Sequence, residues 1–158
     1  MTVDGDYVIE PADGASDEAI TLIQAYLAEI NAGFGHQPDE RDPNHPEDFN
    51  PPTGRFLVVR DSDGRALGCC AVRLLDADTA EVKRMWLAPE IRGRGMGRRL
   101  LAAIEQAARD LGARQGKLDT NESLTAAVSL YQRCGWAQVP RYNDNLHATH
   151  WFTKDLLG

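Results

Sequence analysis

Apolar positions along this chain switch between a period of two and a period near 3.6, and the switches mark out its elements. Residues 7–10 (Tyr-Val-Ile-Glu) read as a short strand that Pro11 should end. Ser16 can cap a helix with Asp17 and Glu18 in its first turn, and the apolar stripe Ile20, Ile23, Leu27, Ile30 carries it to about Gly33. Residues 55–60 and 66–74 are apolar runs on either side of Asp61-Ser62-Asp63-Gly64, a strong turn, and pair as a hairpin. Gly68 in the second run hints at a bulge or a close approach. Asp76-Ala77-Asp78 then turns the chain into a third antiparallel strand, the one holding Glu81.

The stretch from Glu81 to Leu111 is a strand, a glycine-rich turn and a helix. Strict alternation puts Val82, Arg84 and Trp86 on one face and Glu81, Lys83, Met85 and Leu87 on the other. Pro89 lacks a ladder N–H, so the strand should stop near Ala88. Met96, Leu100, Ile104, Ala107, Ala108 and Leu111 form one helical stripe, and Gly112 caps it. Residues 115–120 form the next strand. Strand, helix, strand order makes it parallel to the Glu81 strand by a right-handed crossover, with a ligand site expected at the two carboxyl ends. A helix over 125–133, a stop at Cys134-Gly135-Trp136, and strands over 136–139 and 147–156 complete an α/β chain.

Between the Glu81 strand and its helix lies Arg92-Gly93-Arg94-Gly95-Met96-Gly97. Glycines there let successive N–H groups face one concavity, and the helix start adds unsatisfied donors and a positive dipole end. Arg92, Arg94, Arg98 and Arg99 supply charge suited to phosphate oxygens. The spacing excludes the dinucleotide fingerprint, whose third glycine would fall on Arg98 or Leu100, and no Gly-Lys-Ser/Thr closes a Walker loop. What fits is R-x-x-G-x-G, from Arg92 through Gly95 to Gly97.

That pattern, behind a strand carrying Ala80-Glu81-Val82, resembles the acetyl-CoA motif of the GNAT-type N-acetyltransferases. Residues 126–136 (A-A-V-S-L-Y-Q-R-C-G-W) resemble the helix that this family carries after its fifth strand. The resemblance covers nearly the whole chain, about residues 7–156. It implies a mixed, mostly antiparallel central sheet, flanked by helices, whose parallel middle strands splay apart, in one domain over residues 1–158. It further implies an acetyl-CoA-dependent N-acetyltransferase acting on a primary amine by direct attack in a ternary complex. The alternative is a non-catalytic acyl-CoA-binding module on the same fold.

The resemblance also implies roles for residues. The pantetheine arm would pair with the backbone of Met85, Trp86 and Leu87, the pyrophosphate would sit on Arg92, Gly93, Arg94, Gly95, Met96, Gly97 and Arg98, and an N–H near Leu87 would meet the oxyanion. Tyr131 matches the family's general acid. The base is left open between Glu81, Asp119 and a water held by backbone carbonyls; a glutamate at 81 also pairs readily with Lys83 or an arginine. Family members often carry asparagine early in the Tyr131 helix, where this chain has Leu124, and Asn121 is the nearest substitute. Tyr142, Asn143 and Asn145 precede the last strand, near the acceptor site the family implies, and the loop from Phe34 to Phe49 is a possible lid.

Composition narrows the partners. A formal net charge of −7 argues against nucleic acid, and the basic cluster is local, which suits one small polyanion. Hydrophobic residues at 42% and charged ones at 26% are ordinary for a globular chain, and no apolar run reaches the length of a membrane span. Cys69, Cys70 and Cys134 show no metal spacing and no disulfide framework, so no metal is expected. His147 and His150 would point to opposite faces of a strand. The start is no signal peptide, and the expected compartment is the cytoplasm, with a homodimer possible.

Overall fold

The computed structural model describes residues 2–4, 6–34, 46–122, 124–145 and 148–157. Eight strands form one sheet: β1 (Thr2–Asp4), β2 (Tyr7–Ala12), β3 (Gly54–Arg60), β4 (Ala66–Leu74), β5 (Thr79–Leu87), β6 (Gln115–Thr120), β7 (Ala137–Val139) and β8 (His150–Asp155), in the order β1-β2-β3-β4-β5-β6-β8-β7. Among the described residues three α-helices flank it, α1 (Asp17–Phe34), α2 (Met96–Asp110) and α3 (Thr125–Arg133). Every strand pair is antiparallel except β5 with β6.

The helices divide the core in two. Met96, Leu100, Leu101 and Ile104 of α2 and Tyr131 of α3 pack with Val82, Leu118 and Phe152 on one face of the sheet. Ala19 and Leu22 of α1 and Phe49 pack with Phe56, Val58, Cys69 and Ala71 on the other. Burial on both faces explains why the middle strands read as apolar runs rather than as clean alternations. Ser16 caps α1 as expected: its Oγ accepts the Ala19 N–H at 3.1 Å.

The parallel pair is short. β5 and β6 are in register only at Thr79↔Gln115, Ala80↔Gly116 and Glu81↔Lys117. Beyond Glu81, β5 runs on to Leu87 while β6 stays paired with β8 as far as Thr120↔His150. The two middle strands therefore part, and β5 keeps an unpaired backbone edge along the opening.

The alternation expected in β5 does not hold. Ala71 faces Lys83 and Cys69 faces Trp86, so Arg84 and Met85 together oppose a single residue of β4. Arg84 takes the extra step in the left-handed region, at φ 58. This bulge swaps the faces downstream: Trp86 joins Glu81 and Lys83 on the α1 side, not Val82. Gly68 is the close approach suspected in the sequence, because a Cβ there would lie 2.8 Å from Leu87 Cδ2.

Two further differences are local. β2 continues through Pro11, opposite Leu57, because its pairing with β1 stops at Ile9 and leaves Pro11 on an edge where a missing N–H costs no ladder bond. The last strand begins at His150 rather than at 147. His147, and most of the suspected lid over 34–49, lie outside the described residues.

Candidate active site

Four elements meet where β5 and β6 part. The turn after β5 supplies the first part of the site. Gly93 (φ 77) and Gly95 (φ 80) hold the left-handed conformation, and a Cβ on either would meet nothing within 4 Å, so both face open space. Gly95 is the N-cap of α2, whose first turn holds no acidic residue but has Arg98 and Arg99. Cations at the positive end of a helix dipole cost about 0.3–1 kcal/mol each unless an anion sits there. Arg94 and Arg98 are exposed, whereas the Met96 side chain is 2% exposed and packs in the core, leaving only its backbone for a ligand.

Arg92 is placed differently. Its Nε donates to the Leu87 carbonyl at 2.8 Å and its Nη2 to Glu29 Oε2 on α1 at 2.6 Å. The same Glu29 oxygen accepts the Trp86 indole N–H at 2.7 Å. Burial pushes the Glu29 carboxyl up, but the hydrogen bonds from Arg92 and Trp86 and the Arg92 charge together hold it below the usual carboxylate range.

Across the opening, the Tyr131 hydroxyl reaches Met85 Sδ at 3.7 Å. The ring is buried among Trp136 and Phe152 at centroid distances of 6.3 and 6.0 Å. Burial raises its pKa well above the ordinary 10.0, so the phenol holds its proton. Tyr131 lies on the α2 side and Asn121 in the turn between β6 and α3.

On the α1 side the acidic residues assemble with the loop before β8. Glu81 is 2% exposed; its Oε1 faces Arg73 Nη2 at 3.1 Å and Lys83 Nζ at 3.6 Å. Its Oε2 accepts Tyr142 OH at 2.7 Å and Asn143 Nδ2 at 3.3 Å. Asp119 Oδ2 accepts Asn143 Nδ2 at 2.6 Å and lies 3.8 Å from Lys83 Nζ, while its Oδ1 accepts Asn145 Nδ2 at 3.0 Å. Asn143 is fixed in turn by the Trp151 indole, 2.9 Å from its Oδ1. Glu81, Asp119, Tyr142, Asn143 and Asn145, all singled out in the sequence, therefore form one network. Arg73, Trp151 and Glu29 were not singled out. Glu29 meets Arg92 across 63 positions and no local pattern signals it.

The model of the acetyltransferase (GNAT) family matches residues 21–136. The chain belongs to this family. An N-acetyltransferase of Schizosaccharomyces pombe is 36% identical over 131 residues, spanning 82% of this chain and 80% of its own. An acyl-CoA N-acyltransferase structure from Klebsiella pneumoniae superimposes with a TM-score of 0.77 at 29% identity, covering 96% of this chain and 98% of that one. A GNAT acetyltransferase of Elizabethkingia anophelis with acetyl-CoA bound shares the fold, with a TM-score of 0.62 at 17% identity over 96% of this chain and 99% of that one. The chain thus has the GNAT acyl-CoA N-acyltransferase fold. The family match ends at Trp136, so the loop carrying Tyr142, Asn143 and Asn145 lies beyond it.

Proposed function

We propose that this GNAT chain transfers an acetyl group from acetyl-CoA to a primary amine by direct attack in a ternary complex. One observation carries the reading. β5 leaves β6 after Glu81, and its free edge runs straight into a turn of left-handed glycines opening a helix with arginines in its first turn. A free strand edge suits an amide-bearing arm as an added strand, and the turn suits a pyrophosphate. The arm pairs with Met85, Trp86 and Leu87, with Asn121 beside it. Phosphate oxygens meet the N–H groups of residues 93–97 and the side chains of Arg94 and Arg98.

Acetyl transfer needs a neutral amine, a polarised thioester carbonyl and a proton for the leaving thiolate. An alkyl ammonium with a pKa of about 10 must first lose a proton. A carboxylate offers about four lone-pair positions; Glu81 fills three of them with hydrogen bonds from Arg73, Tyr142 and Asn143, and Lys83 Nζ stands 3.6 Å from its Oε1 as an ion pair. Glu81 therefore positions Tyr142 and Asn143. Asp119, farther along the opening, accepts one hydrogen bond at Oδ1 among the described residues and is the proton acceptor in this reading, directly or through a water.

The amine attacks the thioester carbon, the carbonyl becomes an oxyanion beside the N–H near Leu87, and the carbon–sulfur bond then breaks. Tyr131 gives its proton to the departing sulfur. Burial raises the pKa of the phenol. A thiolate in the same cleft is destabilised in the same sense, so the two acids are better matched there than in water. The acceptor enters from the α1 side, where Tyr142, Asn143 and Asn145 stand.

The test is calorimetric titration with acetyl-CoA of the parent, Gly95→Asp and Arg94→Ala. Saturable binding by the parent that falls at least ~10-fold in Gly95→Asp supports the reading, since the substitution adds an anion where the phosphates sit. No binding by the parent overturns it.

A further inference from the structure

The side chain of Arg92 faces away from the phosphate turn. Trp86, through the bulge at Arg84 and Met85, stands on the α1 face of the sheet, and Arg92 reaches the same Glu29 oxygen that Trp86 reaches, at 2.6 and 2.7 Å. With Nε on the Leu87 carbonyl, the guanidinium spans the end of β5 and the second half of α1. The backbone of Arg92 belongs to the phosphate turn and its side chain to the acceptor side.

We propose that Glu29 is a positioning residue that couples the two halves of the site: a phosphate group settling on residues 93–97 is felt by α1 through Arg92 and Trp86. This rests on the acetyl-CoA reading above and extends it to communication between the halves. Three features support it. One carboxylate oxygen takes two donors from two ends of the cofactor-side segment, so moving either moves the other. The contact is charge-assisted, and Glu29 stays ionised near neutrality, which makes it stiffer than a neutral bond. Among the charged groups at this junction, Arg92 and Glu29 leave 42% and 41% of their side chains exposed, so the bracket sits at the rim, where a ligand can act on it. Phosphate binding at Arg94 and Arg98 orders the turn, and ordering at one end of a bracket lowers the freedom at its other end.

The experiment compares parent, Glu29→Gln and Glu29→Ala by calorimetry with CoA and by amide hydrogen exchange with and without CoA. Glu29→Gln keeps an acceptor oxygen for both donors and removes the charge; Glu29→Ala removes both. Glu29 meets the turn only through the side chain of Arg92, which faces away from residues 93–97, so CoA affinity is expected to stay within about twofold. In the parent, CoA slows exchange in the second half of α1. That CoA-linked protection shrinks in Glu29→Gln and vanishes in Glu29→Ala, while protection of the turn and of α2 persists. A residue that only braces α1 would speed its exchange equally with and without CoA, and that result overturns the proposal. Glu29→Gln binding CoA about fivefold tighter or more also overturns it, because Glu29 would then be competing with phosphate for Arg92. A parent that does not bind CoA at all overturns the acetyl-CoA reading itself and is told apart from both by the first titration.

Discussion

Tyr142 donates its phenolic hydrogen to Oε2 of Glu81 at 2.7 Å across 61 positions of the chain. Burial first, and then the neighbouring Glu81 charge, push the phenol's pKa far up, so it remains a donor. The bond ties the loop before β8 to the last residue of β5 that still pairs with β6. Tyr142→Phe leaves a carboxylate that is 2% exposed with one donor fewer, which costs about 1–3 kcal/mol. Urea denaturation of Tyr142→Phe, Glu81→Gln and the double variant measures it. The double variant is expected to lose less than the sum of the two, because Glu81→Gln removes the charge from the bond that Tyr142→Phe breaks.

Tyr131→Phe separates an enzyme from a module that only binds acyl-CoA. The substitution removes one hydroxyl whose contact is Met85 Sδ at 3.7 Å, a weak bond whose loss costs little stability. Removing a general acid lowers turnover by about 10²–10⁴-fold, while CoA affinity by calorimetry stays near the parent's. Equal losses of affinity and turnover would instead make the ring a binding surface.

Much of this architecture is legible in the amino-acid order. The strand over 66–74, the strand over 115–120 and the helix over 125–133 begin and end where read, because Asp-Gly turns, Gly112 and Cys134-Gly135 punctuate them. The bulge in β5 is not legible. Lys83-Arg84-Met85-Trp86 carries no glycine or proline to betray it, and alternation alone assigns Trp86 to the wrong face. β1 is three residues long, too short for any period to show. At the site, the family resemblance brought Glu81, Asp119 and Tyr131 into view. It could not show that Glu81 already holds three hydrogen bonds and an ion pair, since Arg73, Lys83, Tyr142 and Asn143 come from β4, β5 and the loop before β8 and converge only in the folded chain.

Glu105 ties α2 to its neighbours. It accepts Lys154 Nζ at 2.7 Å on Oε1 and the Trp136 indole at 3.2 Å on Oε2, and Lys154 also donates to the Cys134 carbonyl at 2.8 Å. This joins α2, the end of α3 and β8. Glu105→Ala is expected to cost about 3 kcal/mol, the low end for breaking a buried ion pair, because Lys154 keeps 24% of its exposure. Replacing both charges, as Glu105→Leu with Lys154→Met, is expected to recover most of the loss, and thermal melting of the three variants reads it directly.

Arg60 gives the fold a measurable acid dependence. It grips Glu18 with two nitrogens, at 2.6 and 2.8 Å, and Glu10 with Nε at 2.6 Å, joining the start of α1 to β2 and β3. The hydrogen bonds from Arg60 hold the Glu18 carboxyl below its ordinary 4.5, with burial opposing. A carboxyl depressed in the folded state contributes stability that is complete above the unfolded value and is lost as pH falls through the folded one. Glu18→Gln should therefore melt below the parent at pH 6–7, with the gap closing as pH drops under about 4.5. The Glu18 side chain is 41% exposed, so the gap is small, below about 1 kcal/mol, and narrows further in high salt. A gap that stays constant down to pH 3 would mean that Glu18 supports α1 by packing and not by charge.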